Sequence, residues 1–290
     1  MDTASFLGAA LNTIALPAPR IAGALARRAW ARPPRPRPVS PGALELHESA
    51  RWERLTVDGW RVAAYAWGDG EHPVLLVHGW GSRAAQLAPI ARRLLDLGYS
   101  PVAWDAPGHG DTGGPAGTIL EARRIMELLQ DRHGRFRAVV AHSLGAPFAV
   151  HALCEGLAAD RVVLVSGMAD FAFATGGFEA ALRLRPRTSR ALRSSIEGHY
   201  FGGDTTAWAR FSTTHGADVL THPVLLLHDE DDPVVPVEHS RRAHAAFGDR
   251  SRLVTTTGLG HNRILKDPEQ VDRVTDFVRG ADLPTRASGD

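Results

Sequence analysis

Short apolar runs alternate with amphipathic helical stretches from Pro73 to Val278, and this alternation restricts the possible folds more than any other feature of the chain. Pro73–Val77 is brief and wholly apolar and stops at His78-Gly79, as expected of a strand covered on both faces. Ala84–Leu97 carries Leu87, Ile90, Leu94 and Leu95 at helical spacing and ends at Gly98. Tyr99–Trp104 predicts a strand and Leu120–Leu129 a helix. Val139 and Val140 close a strand that runs straight into Ser143, after which Leu144–Leu157 is helical. Strands at Arg161–Val165, Val224–Leu227 and Leu253–Thr256 continue the series, with helices at Val237–Phe247 and Pro268–Val278. An α/β fold follows, with a mostly parallel central sheet and helices on both faces, because each parallel connection must cross back over the sheet. Upstream, Arg54–Val57 and Trp60–Trp67 flank Asp58-Gly59, a hairpin signal that puts antiparallel strands at the N-terminal edge.

Two stretches break the rhythm. From Ser166 to Thr221 there is no strand pattern, but helical pieces carry Phe171, Phe173, Phe178, Leu182, Leu184, Tyr200, Phe201, Trp208 and Phe211. An insertion of this size after a strand is expected to sit over the site as a small helical lid; a long crossover packed on the sheet is the alternative. At the N-terminus, Phe6–Ala26 is apolar but interrupted by Pro17, Pro19 and Arg20, so no run is long enough to span a bilayer. No secretory signal is expected there. Arg20, Arg27, Arg28, Arg32, Arg35 and Arg37 gather near a proline-rich stretch, Pro33–Pro41. The expectation is a helix or two packed on the body and then a stiff linker. A basic amphipathic segment on a membrane surface is the alternative. The chain thus divides into an N-terminal helical segment and linker (1–43), an α/β core (44–166 and 222–282) and a lid (167–221).

Bulk charge narrows the partners. With a net charge of +1, nothing global attracts nucleic acid or an anionic membrane. Lys266 is the single lysine, a composition bias with no chemistry attached. Cys154, the lone cysteine, rules out an intrachain disulfide and multi-cysteine metal sites, and fits a cytoplasmic setting.

In such sheets the site forms beyond the carboxyl ends of the strands, so the residues just after each strand matter most. Ala141-His142-Ser143-Leu144-Gly145 matches a nucleophile elbow with alanine in the first glycine place. The turn from strand to helix strains the serine backbone and presses its neighbours against adjoining elements, so small residues are needed beside it. His78-Gly79-Trp80-Gly81 follows an earlier strand, and an oxyanion hole drawn from both loops would use the backbone N–H groups of Trp80 and Leu144. His78 is expected to support that loop. A carboxylate comes from Asp229-Glu230-Asp231-Asp232-Pro233, and composition alone does not separate Asp232 from Asp229 or Asp231; Asp170 is a further candidate. His261, among glycines after the last strand, completes the order Ser, Asp, His.

His78-Gly79-Trp80-Gly81, Asp105-Ala106-Pro107-Gly108-His109-Gly110, Ala141-His142-Ser143-Leu144-Gly145, Asp232-Pro233-Val234-Val235-Pro236 and Gly260-His261 together resemble the α/β-hydrolase superfamily, over about Leu44 to Val278. The resemblance implies Ser143 as nucleophile, His261 as base and Asp232, just before Pro233, as the acid. It gives Asp105–Gly110 a structural part. Asp229 stands where the family has glycine after His228, a departure in that loop. Serine at the elbow disfavours the members with an aspartate nucleophile, and the triple-glycine loop of hormone-sensitive-lipase relatives is absent. The implied activity is hydrolysis of a small-molecule ester with an apolar acyl or alcohol part, needing no metal or organic cofactor. A thioesterase, an amidase or peptidase, or an acyltransferase would use the same residues, and a non-catalytic ligand-binding member is the reading from another class.

Overall fold

A computed structural model describes residues 3–34 and 38–280. Three helices come first: α1 (Thr3–Ile14), α2 (Pro19–Trp30) and α3 (Pro41–Glu48). β1 (Arg51–Val57) and β2 (Trp60–Ala66) form the expected hairpin, with Asp58 and Gly59 both at positive φ, as a two-residue turn between twisted strands requires. There follow β3 (Pro73–Val77), α4 (Ala88–Asp96), β4 (Ser100–Trp104), α5 (Ile119–His133), β5 (Ala138–His142), α6 (Gly145–Cys154) and β6 (Val162–Val165). α7 (Phe173–Ala181), α8 (Pro186–Tyr200) and α9 (Ala207–Arg210) come next, and no strand lies between β6 and β7 among the described residues. The chain closes with β7 (Val224–Asp229), α10 (Glu238–Phe247), β8 (Ser251–Thr256), α11 (Gly260–Arg263) and α12 (Pro268–Arg279).

The strands form one sheet in the order β1-β2-β4-β3-β5-β6-β7-β8. Only β1–β2 and β2–β4 pair antiparallel; the rest is parallel. This is the α/β-hydrolase fold, with antiparallel strands at one edge. Alternate strand residues point to opposite faces. Leu75, Val77, Val139 and Ala141 meet Ile125 and Met126 of α5, Ala149 of α6 and Phe247 of α10. Leu76, Val140, Val163 and Leu225 meet Ile90 and Leu94 of α4 and Val274 and Val278 of α12. Both faces are therefore dry, as runs with no polar alternation demand.

Some boundaries differ from expectation for local reasons. Ala84–Leu97 splits into a 3-10 turn (Ala84–Leu87) and α4, because Pro89 has no N–H to continue a helix entered from Ala84. α5 starts at Ile119, where Thr118 and Glu121 form a capping box. Leu144 belongs to the turn, and α6 begins one residue later.

α1 and α2 pack on the helices between β6 and β7. Leu11 and Ala26 share a small core with Leu182, Leu192 and Ile196. Close approach depends on glycine: a Cβ at Gly23 would lie 2.2 Å from the Ala191 carbonyl oxygen. Asn12 ties the two segments, donating to the Arg183 carbonyl at 3.1 Å and accepting from the Arg185 N–H at 2.8 Å. α3 runs through the division set at 43/44, since Ala43 and Leu46 pack on the α4 face of the sheet. Of the linker expected over Pro33–Pro41, residues 35–37 lie outside the described residues, as do the core's last positions, 281 and 282.

Candidate active site

Ser143 stands between the end of β5 and the start of α6 with φ +56°, a left-handed backbone that serine rarely adopts. The surroundings enforce it. Ser143 N–H donates to the Val165 carbonyl at 3.0 Å, fixing the turn to β6. A Cβ at Gly145 would lie 2.7 Å from the Val77 carbonyl oxygen, so only glycine lets α6 start against β3. A Cβ at Gly79 would lie 2.8 Å from the Ser143 Cβ, so the glycine also sets how closely that loop approaches the serine.

The Ser143 hydroxyl lies 3.0 Å from His261 Nε2, and His261 Nδ1 lies 2.7 Å from Asp232 Oδ2. A carboxylate only accepts, so Nδ1 carries the imidazole proton, Nε2 is the acceptor and the serine hydroxyl donates to it. Ser143 and Asp232 come from the turns after β5 and β7, and His261 from the short helix α11 after β8. All three residues are buried. The amides of Val234 and Val235 donate to Asp232 Oδ1, at 2.8 and 3.0 Å. Burial alone would raise the Asp232 carboxyl, but hydrogen bonds from His228, His261 and Val235 outweigh it and hold it well below the usual carboxylate range.

Of the other acids in that loop, none meets His261. Asp229 Oδ2 accepts from the Thr256 hydroxyl and the Leu259 N–H, at 2.7 and 2.9 Å, clamping β7 to the end of β8 and to the residue that precedes α11, the helix carrying His261. The residue that replaces the family's glycine thus fastens the segment leading to His261. Asp231 accepts from the Gly258 N–H, and Asp170 from the Ala172 N–H.

Trp80 and Leu144 line one cavity beside the serine, and Leu144 caps α6. His78 accepts from the Ala106 N–H at Nε2 and donates from Nδ1 to the Gly79 carbonyl at 2.7 Å, so it is neutral and shapes the loop. Burial lowers its pKa. Asp105, fully buried, accepts from the amides of Ala84 and Asp111 and from the Tyr65 hydroxyl, tying the loops after β3 and β4 to β2.

Three contributors carried no local signal that would mark them. His142, inside the elbow, donates from Nε2 to the His261 carbonyl at 2.9 Å, and burial pushes its pKa to about 3. His228 bonds the Val235 carbonyl and the Ser240 hydroxyl and lies 3.4 Å from Asp232. Trp30, from α2, stacks on Trp80 at 6.2 Å and donates to the Ala174 carbonyl at 3.1 Å. Trp30, Trp80, Ile119, Leu144, Phe171 and Phe201 wall an almost wholly apolar cavity of about 440 Å3, counting its opening to solvent. The arrangement offers a hydroxyl facing an imidazole, a carboxylate holding the imidazole's far nitrogen, and an adjacent apolar space.

Residues 74–274 match the alpha/beta hydrolase family. Lysophosphatidylserine lipase ABHD12 of Danio rerio is 26% identical over 234 residues, which cover 72% of this chain and 58% of that protein. The chain thus spans somewhat more than half the length of this curated relative. Among solved structures, the Pyrococcus furiosus esterase Pf2001 superposes with a TM-score of 0.63 at 21% identity, covering 86% of this chain and 96% of that one. The esterase RhEst1 from Rhodococcus gives 0.60 at 22% identity, with 81% and 100% covered. At these identities the solved structures speak to the fold.

Proposed function

This chain belongs to the alpha/beta hydrolase family, and from that premise we propose that it is a serine hydrolase cleaving carboxylic esters through an acyl-enzyme. The observation that carries this reading is the unbroken relay Ser143–His261–Asp232, at 3.0 and 2.7 Å, reaching a serine in strained backbone at a helix start.

His261 Nε2 takes the Ser143 hydroxyl proton as Oγ bonds the carbonyl carbon. The oxyanion accepts from the backbone N–H groups of Trp80 and Leu144, each such donor being worth about 3 kcal/mol of transition-state stabilisation. Asp232, kept ionised by its donors, stabilises the imidazolium and holds its orientation. The imidazolium protonates the departing alcohol. Water, deprotonated by the same Nε2, then attacks the acyl-enzyme, and the acid leaves as Ser143 regains its proton.

The apolar cavity supports an apolar acyl or alcohol group, and residues 167–221 act in this reading as a lid that supplies Phe171 and Phe201 to it. A relative named as a lysophosphatidylserine lipase is consistent with a lipid-like acyl chain. Labelling with a fluorophosphonate, read by mass spectrometry, tests the proposal together with turnover of p-nitrophenyl esters of increasing length. One adduct on Ser143 is expected, with a loss of about 10⁴-fold in Ser143→Ala. A folded protein that takes no label, or unchanged turnover in Ser143→Ala, overturns the proposal.

A further inference from the structure

We propose that the outer face of the α1–α2 pair, with the adjoining start of α8, docks on the surface of an anionic phospholipid bilayer. Five of the ten large apolar side chains exposed among the described residues sit on this pair or its connecting turn: Phe6, Leu7, Leu16, Ile21 and Leu25. Phe6 is 67% exposed, Leu16 59% and Ile21 58%. The packing already described accounts for the opposite side, since Ala22, Gly23 and Ala26 are the buried residues of α2. Ile21 and Leu25, one helical turn apart, share the side that no element covers.

Charge identifies what covers it. From Thr3 to Leu44 the chain has no acidic residue, whereas it has Arg20, Arg27, Arg28, Arg32, Arg35 and Arg37. Arg27 turns inward to Ser195 and the Tyr200 ring, while Arg20, Arg28 and Arg32 are exposed. The tertiary fold adds more positive charge from the other side. Asn12 holds the backbone of Arg183 and Arg185 against α1, and Arg183, Arg185, Arg187 and Arg190 are all exposed. Among the described residues, no carboxylate pairs with any of these seven exposed arginines. A second copy would bring the same positive charge to the contact and be repelled. An anionic bilayer offers headgroups for the arginines and an acyl boundary for the apolar side chains. No described helix is long and apolar enough to cross a membrane, so α1 and α2 lie in the interfacial plane.

The inference is independent of the proposed catalysis, and its test reads binding alone. The full chain is floated with vesicles of phosphatidylcholine, and of phosphatidylcholine with phosphatidylserine, at low and high salt. Two double variants, Ile21→Ser with Leu25→Ser and Arg183→Glu with Arg187→Glu, are compared after their melting temperatures show them folded. The native chain is expected to float with the anionic vesicles and to be released by salt. Each double variant is expected to lower bound protein about tenfold or more, each arginine near such a surface being worth about fivefold. The proposal is overturned if the native chain stays unbound on anionic vesicles, or if both variants bind as well as it does. A dimer in light scattering that the Ile21→Ser, Leu25→Ser variant dissolves overturns it too, by assigning the face to a second copy.

Discussion

His142 donates from Nε2 to the backbone carbonyl of His261 at 2.9 Å, and their ring centroids lie 4.7 Å apart. The residue before the proposed nucleophile therefore holds the main chain of the proposed base from beneath. His142→Phe keeps an aromatic ring but removes the donor. It is expected to lower kcat about 10- to 100-fold with KM nearly unchanged, because a misplacement of about 1 Å at reacting groups has that cost. Steady-state kinetics on a soluble ester checks this, with the rate of fluorophosphonate labelling falling in parallel.

Trp30 reaches the cavity from α2 and stacks on Trp80. Trp30→Ala removes one wall without touching Ser143 or His261. The expected outcome is a drop of about tenfold in the preference for an octanoyl over an acetyl ester, the magnitude that a few lost apolar contacts produce. An acyl-length series of kcat/KM for the variant and the native protein measures it.

Asp105 carries three donors and has the Arg83 guanidinium 4.0 Å away. Asp105→Ala leaves the Ala84 and Asp111 amides and the Tyr65 hydroxyl without that acceptor in a buried place. A loss of about 3–5 kcal/mol is expected, in line with breaking a buried, hydrogen-bonded charge. Denaturant unfolding checks the size, and an intact Ser143 label in the fraction still folded would separate this structural part from the chemistry.

Burial lowers several histidines from 6.5: His142 to about 3, and His109, His151 and His239 to about 4. Each stays neutral in the fold and is protonated on unfolding below its ordinary pKa, so the unfolded state binds more protons. Stability is accordingly full above about pH 6.5 and falls as pH drops toward 4. Near pH 5.5 unfolding should take up about three to four protons from this group. The slope of unfolding free energy against pH, from urea titrations between pH 7.5 and 5, gives the number directly. A flat profile would mean that these rings are protonated inside the fold.

The sheet, its antiparallel edge and the order of its elements were legible in the sequence, because they rest on local pattern. Runs such as Pro73–Val77 bury both faces, and Asp58-Gly59 satisfies a turn whichever strands it joins. The elbow was equally legible, since the small residues at Ala141 and Gly145 answer a steric demand within a few positions of Ser143. The carboxylate that meets His261 was not separable by the same means. Asp229, Asp231 and Asp232 are alike in composition, and only the course of the loop turns Asp232 toward His261 while Asp229 grips Thr256 and Leu259. Trp30 shows the limit most plainly. More than a hundred residues separate it from Ser143, and nothing near it in the chain announces a cavity wall. Its place follows from α2 packing on α8 through Gly23, a contact that exists only once both helices are folded. Periodicity and turn chemistry act over a few residues and so are written in the sequence; which side chains converge is a property of packing, and the tertiary structure decides it.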